Sequence, residues 1–576
     1  MLKSLFRTKQ ISKIITDAEA GASSIHGSGL RRVLTVRDLT FFGIAAIIGA
    51  GSFSSMGSAV ASGGPGVILL FIMCGIACGF TAMCYAEFAS RIPVAGSAYT
   101  YAYASFGEMI AWIIGWALLM EYSIGNIYVA FAWSDYFTNL LESMGIGLPS
   151  FLTTNYKAAQ SAFTENVAGP LQDAWNTAPA IGGLRIIFDM PALVINILIT
   201  WLVYRGVKES RNVSNVMVII KLAVVLLVIA VGAFYIDPQN WTPINDVGAR
   251  SFLPNGFVGV MAGVSAVFFA YIGFDAVSTM AEESKNPQRD LPRGMIYSLV
   301  ICTIVYILLT LVLTGMAHYK QLNVGDPLAE VFKINNVGWM EVLVSICAVA
   351  AMTSVMLVFQ LGQPRIWMSM SRDGLLPRQF QRIHPKYKTP SFATIITGLV
   401  VGVPILFTDE KFVLDFTSIG TLFAFVLVCG GVLLIPRKEK QAGKFQLPYF
   451  NAKFIFPLII VGAMVLIYAL NKTYFKELLN GDFSDRSGDP DASQLFFATA
   501  TLKITTILFW LICLVLSVFA FLKNLSLIPL MGLTTCLYLL TGMSLSNWKW
   551  FFAWFGVGLV IYFLYGYRKS KLANES

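Results

Sequence analysis

The chain has 576 residues, of which 56% are hydrophobic and only 13% charged, about half the charge of ordinary soluble domains. With a mean hydropathy of +0.69, this composition excludes a soluble enzyme or binding domain and describes a protein that crosses a membrane many times. The net charge of +9 does not point to nucleic acid, because the lysines and arginines fall in short loops between apolar runs, where they orient spans.

Residues 1–37 are polar and basic, with Lys3, Arg7, Lys9, Lys13, Arg31 and Arg32 and no apolar core. They read as a cytoplasmic tail and not as a cleaved signal peptide. Fourteen apolar segments follow, at about 38–60, 66–91, 106–141, 187–205, 212–235, 256–282, 293–318, 338–370, 391–408, 412–436, 453–471, 497–522, 526–545 and 549–567. Basic clusters at Arg205 to Arg211, Lys285 to Arg293, Arg372 to Lys388, Arg437 to Lys440 and Arg568 to Lys571 recur on the side of the tail. The positive-inside rule makes that side cytoplasmic and, with an even number of spans, returns the C-terminal residues 568–576 to it. The opposite side carries a long insertion, about 142–186, whose Pro149, Asn155, Pro170 and Pro179 predict turns and short helices.

The first span reads Gly43-Ile-Ala-Ala-Ile-Ile-Gly49-Ala50-Gly51-Ser52-Phe53, and the sixth reads Val267-Phe-Phe-Ala270-Tyr271-Ile272-Gly273-Phe274-Asp275. Glycine lets a helix unwind and leaves backbone N–H and C=O groups without intrahelical partners. Freed N–H groups at the positive end of a half-helix suit a carboxylate, and freed carbonyls suit an ammonium. Together they describe a site for an amino acid zwitterion. Interrupted helices at matching positions five spans apart are the sequence mark of an inverted-repeat transporter.

In the third span, Glu121 lies about 20 Å from the inner end. Three roles fit it: contact with a basic substrate side chain, a place in a proton path, or a neutral acid tying helices together. The fifth span carries one charge, Lys221, about ten residues beyond Arg211. At about 1.5 Å of rise per residue its ammonium sits near the middle of a roughly 30 Å hydrocarbon layer, too deep to snorkel out. Such a charge persists only if it pairs, reaches water or gives up its proton, so it marks a functional site. The eight cysteines all lie in apolar spans and read as small buried hydrophobes. Three scattered histidines and no clustered ligands offer neither a metal site nor enzyme chemistry, and no cofactor is expected.

The stretches Ala46 to Gly51, Tyr85 to Tyr99, Phe268 to Ser278, Glu282 to Pro292 and Met370 to Pro377, in this order and spacing, are similar to the amino acid–polyamine–organocation superfamily. The chain most resembles a bacterial-type member of its cationic amino acid transporter branch, over about residues 30–567. The resemblance implies an all-α membrane protein of the leucine-transporter type. Spans one to five (38–235) and six to ten (236–436) would form a 5+5 inverted repeat, with accessory spans eleven to fourteen at 437–567. It implies that backbone N–H groups around Gly49, Ala50, Gly51 and Ser52 take the substrate carboxylate, and that carbonyls near Ile47, Phe269, Ala270 and Ile272 take the amine. Phe269 resembles the aromatic lid of the family. Lys221 resembles the fifth-span lysine of proton-coupled members, which stands where sodium-coupled relatives hold their ion. Asp275 matches a family acid on the sixth span and fits either a second proton carrier or a helix cap beside Gly273.

Met352 on the eighth span matches the position that lines the side-chain pocket, where a bulky, flexible residue favours small or medium neutral side chains. The expected protein is therefore a cell-membrane permease that brings L-amino acids in with protons by alternating access. An uncoupled exchanger or facilitator, a carrier of arginine and lysine, and a receptor that binds without cycling are the competing readings. The apolar outer faces meet membrane lipid, and the sequence leaves oligomeric state open.

Overall fold

A computed structural model describes residues 7–10, 34–92, 94, 97–166, 169–182, 184–205, 211–244, 248–387, 389–434, 445–484, 497 and 499–572. Most of the N-terminal tail, and the basic positions Lys208 and Arg437 to Lys440, therefore lie outside the described residues.

Each of the fourteen apolar segments contains a helix. The first consists of α1 (Val36–Ile47), a π-helical turn (Gly51–Ser55) and α2 (Met56–Gly63), and the second is α3 (Val67–Arg91). A short helix α4 (Ser97–Ser105) leads to the third, α5 (Glu108–Ser143). The insertion contributes α6 (Tyr156–Thr164), α7 (Pro170–Thr177) and a hairpin of β1 (Ala180–Ile181) with β2 (Leu184–Arg185), the small strand pair being absent from the sequence reading. Then come α8 (Met190–Arg205), α9 (Arg211–Gly232), and a sixth segment built from α10 (Gly256–Ala262), α11 (Val264–Phe269) and a 3₁₀ helix (Phe274–Glu283). The remainder comprises α12 (Pro287–Met316), α13 (Pro327–Ile334), α14 (Gly338–Arg372), α15 (Ser391–Ile405), α16 (Glu410–Leu434), α17 (Ala452–Leu470), α18 (Tyr474–Leu479), α19 (Ala500–Lys523), α20 (Leu527–Thr541) and α21 (Leu545–Ile561). Among the described residues, ten apolar helical runs are long enough to cross a bilayer, while α8, α15 and α20 are shorter apolar helices.

Burial separates centre from periphery. Every residue of Val264–Ala281 is buried in the protein, against 17% of Ala452–Ala469. The sixth segment is thus the axis of the molecule, whereas α17 shows Phe454 and Leu458 to its surroundings, as a lipid-facing helix does. α14 packs along α5, α12 along both α1 and α3, and α16 against α5 and α20. The 36-residue α5 and 35-residue α14, at about 1.5 Å per residue, run near 50 Å and overreach a roughly 30 Å hydrocarbon layer. Their ends therefore build structure on both faces.

On the tail face, Lys9 is buried and pairs with Asp373 at 2.9 Å, just past α14, and Tyr99 of α4 donates to the same carboxylate at 2.6 Å. Lys571 donates its N–H to the Asp373 carbonyl at 3.1 Å, so both ends of the described chain meet there. Glu87 and Arg91 pair one turn apart on α3, and Glu87 also accepts from the Leu447 N–H at 2.7 Å. That pair anchors a loop and does not bridge two spans.

On the insertion face, Asp326 precedes α13 and accepts from the Asn139 amide at the end of α5. Burial, more than the neighbouring Glu330, pushes its carboxyl up to about 6 from 3.8. The folded protein then binds this proton more tightly than the unfolded chain does. Its contribution favours folding below about pH 4 and is lost as pH rises through about 6. At about 1.4 kcal/mol per pKa unit the loss is at most about 3 kcal/mol. Asp326→Asn should raise the melting temperature of detergent-solubilised protein at pH 8 and leave it unchanged near pH 4, as read by a thermal unfolding series across pH.

Candidate functional site

The first and sixth segments lie against each other along their whole length. Leu34 bridges Ser284, Gly43 faces Val277, Gly273 faces Ala46, Gly51 faces Ala270 and Gly263 faces Ala59. Ser55 donates to the Ala266 carbonyl at 2.9 Å. Residue numbers rise along one segment and fall along the other, so the pair is antiparallel and the two interruptions meet at one level. Two glycines permit that approach. A Cβ on Gly51 would stand 2.4 Å from the Ala270 Cα. Gly273 has φ +115° and its Cβ would meet Ala46 at 2.9 Å, a conformation and a gap that both require glycine.

At the first interruption α1 stops at Ile47, Ile48 turns extended (φ −78°, ψ 100°), and winding resumes as a π-turn at Gly51. The N–H groups of Ser52 and Phe53 both turn back to the Gly49 carbonyl at 3.0 Å. Those of Gly49, Ala50 and Gly51 donate to no backbone carbonyl among the described residues. At the second interruption Ala270, Tyr271 and Ile272 close tight turns onto Val267, Phe268 and Phe269, and the carbonyls of Ala270 and Ile272 accept from no backbone N–H among the described residues. Free donors on one segment therefore stand beside free acceptors on the other.

Lys221 on α9 is 2% exposed and reaches this place. Its ammonium lies 3.4 Å from the Ala45 carbonyl and 3.5 Å from the Ile48 carbonyl, and donates to the Ser354 hydroxyl of α14. Carbonyls at the end of a half-helix carry partial negative charge, which offsets part of the cost of burying an ammonium. Val355, next to Ser354, fills the space beside Gly49. Met352 is fully buried on the same helix. Ile47, one of the carbonyls expected near an amine, already accepts the Tyr306 hydroxyl at 2.9 Å, so any further donor would share it. Ser354 and Tyr306 were not singled out from sequence. The only available signal for Ser354 was its place two residues from Met352, and a lone tyrosine in an apolar span carries none.

The two acids lie apart from Lys221's hydrogen bonds. Glu121 on α5 is 1% exposed and neither carboxyl oxygen has a hydrogen-bond partner among the described residues. The Thr421 hydroxyl beside it donates to the Thr417 carbonyl instead, and the charged group acting on it is Asp275. Asp275 is equally buried, lies against the backbone N–H groups of Gly273, Asp275 and Ala276, and leaves one oxygen unpartnered. The hydroxyls of Tyr85 and Tyr122, also without hydrogen-bond partners among the described residues, lie beside this pair. Asp275 lies in the first turn of the 3₁₀ helix, whose N-cap is Gly273, and it is a neighbour of Glu121.

Above the interruption, towards the insertion, the Tyr128 ring stands edge-on to Phe269 with centroids 4.6 Å apart. Its hydroxyl is 3.1 Å from that of Ser54, which donates to Glu410 at 3.2 Å. Beyond Glu410 opens a chamber of about 570 Å³ lined by Asp135, Asp189, Asp409 and Glu410 and covered by α6 of the insertion. All eight cysteines are buried free thiols.

The profile of the amino acid permease family matches residues 34–476, which contain both interruptions, Lys221 and Glu410. A branched-chain amino acid permease of Bacillus subtilis is 42% identical over 76% of this chain and 87% of its own length. A methylthioribose transporter of the same organism is 38% identical over 80% of this chain and 91% of its own. A vacuolar cationic amino acid transporter of Arabidopsis thaliana is 31% identical over the full chain and 94% of its own. A multi-pass helical fold turning on two facing helix breaks, together with this match across most of its length, makes the chain a member of the amino acid permease family.

Proposed function

We propose that this secondary amino acid transporter is a proton-coupled symporter of neutral L-amino acids. The observation that carries the coupling is the contact of the Lys221 ammonium with the Ala45 and Ile48 carbonyls and with Ser354. The amine is built into the first interruption, so its proton and the shape of that interruption depend on each other. With the proton on, these contacts hold α9 and α14 to the break. With it off, Lys221 becomes a neutral amine and the hold weakens. A protonation step on one side of the membrane and a release on the other then ties substrate movement to the proton gradient.

The substrate carboxylate sits on the N–H groups of Gly49, Ala50, Gly51 and Ser52, the last after its bond to Gly49 opens. The ammonium takes carbonyls of Ala270 and Ile272, with Ile47 and Phe269 contributing as the turns adjust. The tail face is cytoplasmic, in keeping with its basic loops, and the insertion is extracytoplasmic in a cell membrane.

Neutral substrates are favoured because Met352 leaves little room and the buried acids Glu121 and Asp275 lie against each other and the Tyr85 and Tyr122 hydroxyls. The 42% identical relative named for branched-chain amino acids agrees with this, while relatives named cationic transporters keep arginine and lysine as the second reading. Competition of labelled L-leucine uptake by unlabelled L-arginine in proteoliposomes decides between them. Met352→Ala should enlarge the pocket and raise the L-arginine to L-leucine uptake ratio about tenfold. An unchanged ratio places Met352 outside the pocket.

A further inference from the structure

A cavity of about 210 Å³ opens on the tail face where α3 and α16 meet α17, α19 and α20. Arg91 of α3 and Leu433 of α16 stand on one side, Leu447 and Tyr449 of the loop before α17 form another, and Lys523 and Ser526 of the turn between α19 and α20 close it. Its walls are held by hydrogen bonds. Glu87 accepts the Leu447 N–H at 2.7 Å on one oxygen and the Arg91 Nε at 2.6 Å on the other, so this carboxylate is already satisfied. The Tyr449 hydroxyl donates to the Asn524 carbonyl at 2.8 Å. Asn451 and Ser526 form an antiparallel bridge, in which the Ala452 N–H donates to Leu525 at 2.9 Å and the Leu527 N–H to Phe450 at 2.8 Å.

The side chains around this space are suited to an anion. Ser526 is the N-cap of α20, where a serine hydroxyl ordinarily accepts an N–H from the first turn. The third helical residue here is Pro529, which has no N–H to give, and Ser526 makes no side-chain cap. Its hydroxyl oxygen is buried and has no partner among the described residues. The start of α20 adds the positive end of a helix dipole. Lys523 is exposed and forms no ion pair among the described residues, its ammonium lying 5.5 Å from the Phe519 ring. Arg91 and Lys523 together outweigh Glu87, which leaves the cavity with net positive charge.

Beside the cavity the surface is hydrocarbon. Phe454 and Leu458 of α17 and Val518 and Leu522 of α19 are each more than half exposed. Lys453 lies over the Phe454 and Phe521 rings at 5.6 and 5.1 Å. Lysines laid over aromatic rings at the end of apolar helices mark the level of the lipid headgroups, and basic cavities between spans at that level take anionic headgroups. We propose that this cavity binds the phosphate of an anionic lipid of the tail-face leaflet, with its acyl chains along α17 and α19. Seated there, the headgroup ties α3 and α16 to α17, α19 and α20, whose Phe456, Trp510 and Leu530 belong to a separate hydrophobic core.

In a non-ionic detergent, dioleoylphosphatidylglycerol should raise the melting temperature of the full chain to a plateau, whereas dioleoylphosphatidylcholine and sn-glycerol 3-phosphate should not. Lys523→Gln should raise the half-saturating lipid concentration about fivefold, the weight of one lysine facing an anionic lipid. Ser526→Ala should raise it about threefold, for one hydrogen bond. Lys569→Gln, at an exposed lysine of the same face outside the cavity, should titrate as the parent does. Arg91 is left in place because its removal would strand the Glu87 carboxylate. Ser526→Ala alters no charge and carries the test should Lys523→Gln fail to fold. Parent-like titration of both cavity variants overturns the site, as does an equal loss in Lys569→Gln, the sign of diffuse attraction. The same shift produced by sn-glycerol 3-phosphate at the lipid's concentration overturns lipid as the ligand in favour of a soluble phosphate.

Discussion

Lys221→Met should abolish accumulation of L-leucine in proteoliposomes under an imposed inward proton gradient, while equilibrium exchange across the same membrane persists. Methionine keeps the length and burial of the lysine stem but neither donates to the Ala45 and Ile48 carbonyls nor carries a proton. A membrane potential contributes about 2.3 kcal/mol per charge per 100 mV, enough for roughly fiftyfold accumulation with one proton. The variant should fall to a ratio near one. Ser354→Ala removes one of the lysine's acceptors and leaves its charge, so it should weaken accumulation without ending it. Accumulation by Lys221→Met at the parent level would remove this lysine from the coupling.

Gly51→Ala should eliminate binding and transport in a protein that still inserts. The added methyl would stand 2.4 Å from the Ala270 Cα and 3.1 Å from its nitrogen, and a backbone cannot turn aside as a flexible side chain does. Overpacking of this kind costs about 1–3 kcal/mol or more, and here the strain falls on the contact between the two interruptions. A separation of 1 Å removes the simultaneous reach of donors on one segment and acceptors on the other. We expect leucine affinity, measured by scintillation proximity, to drop by at least a hundredfold. Gly79→Ala is the matched control, since nothing lies within 4 Å of the methyl it would add on α3. Near-parent affinity in Gly51→Ala would show that the segments can part without loss of the site.

The two helix breaks were legible because glycines that let a helix unwind stand at matching positions of two spans five apart. Lys221 was legible from the cost of its position alone. What no linear pattern carries is which atoms repay that cost. Ser354 lies 133 residues from Lys221, Glu410 lies 356 from Ser54, and Asp373 lies 364 from Lys9. Each partner is a common residue type whose meaning comes only from the folding of distant spans onto one level. Glu121 was read with three roles, and its closeness to Asp275, which narrows them, needed the crossing of α5 and the 3₁₀ helix.

The most direct test is an experimental structure with L-leucine bound. A carboxylate within hydrogen-bond distance of the Gly49, Ala50 and Gly51 N–H groups, an ammonium on the Ala270 and Ile272 carbonyls, and Lys221 still beside Ile48 would be the predicted result. Leucine lodged instead in the chamber beside Asp409 and Glu410, with the two interruptions unoccupied, would contradict it.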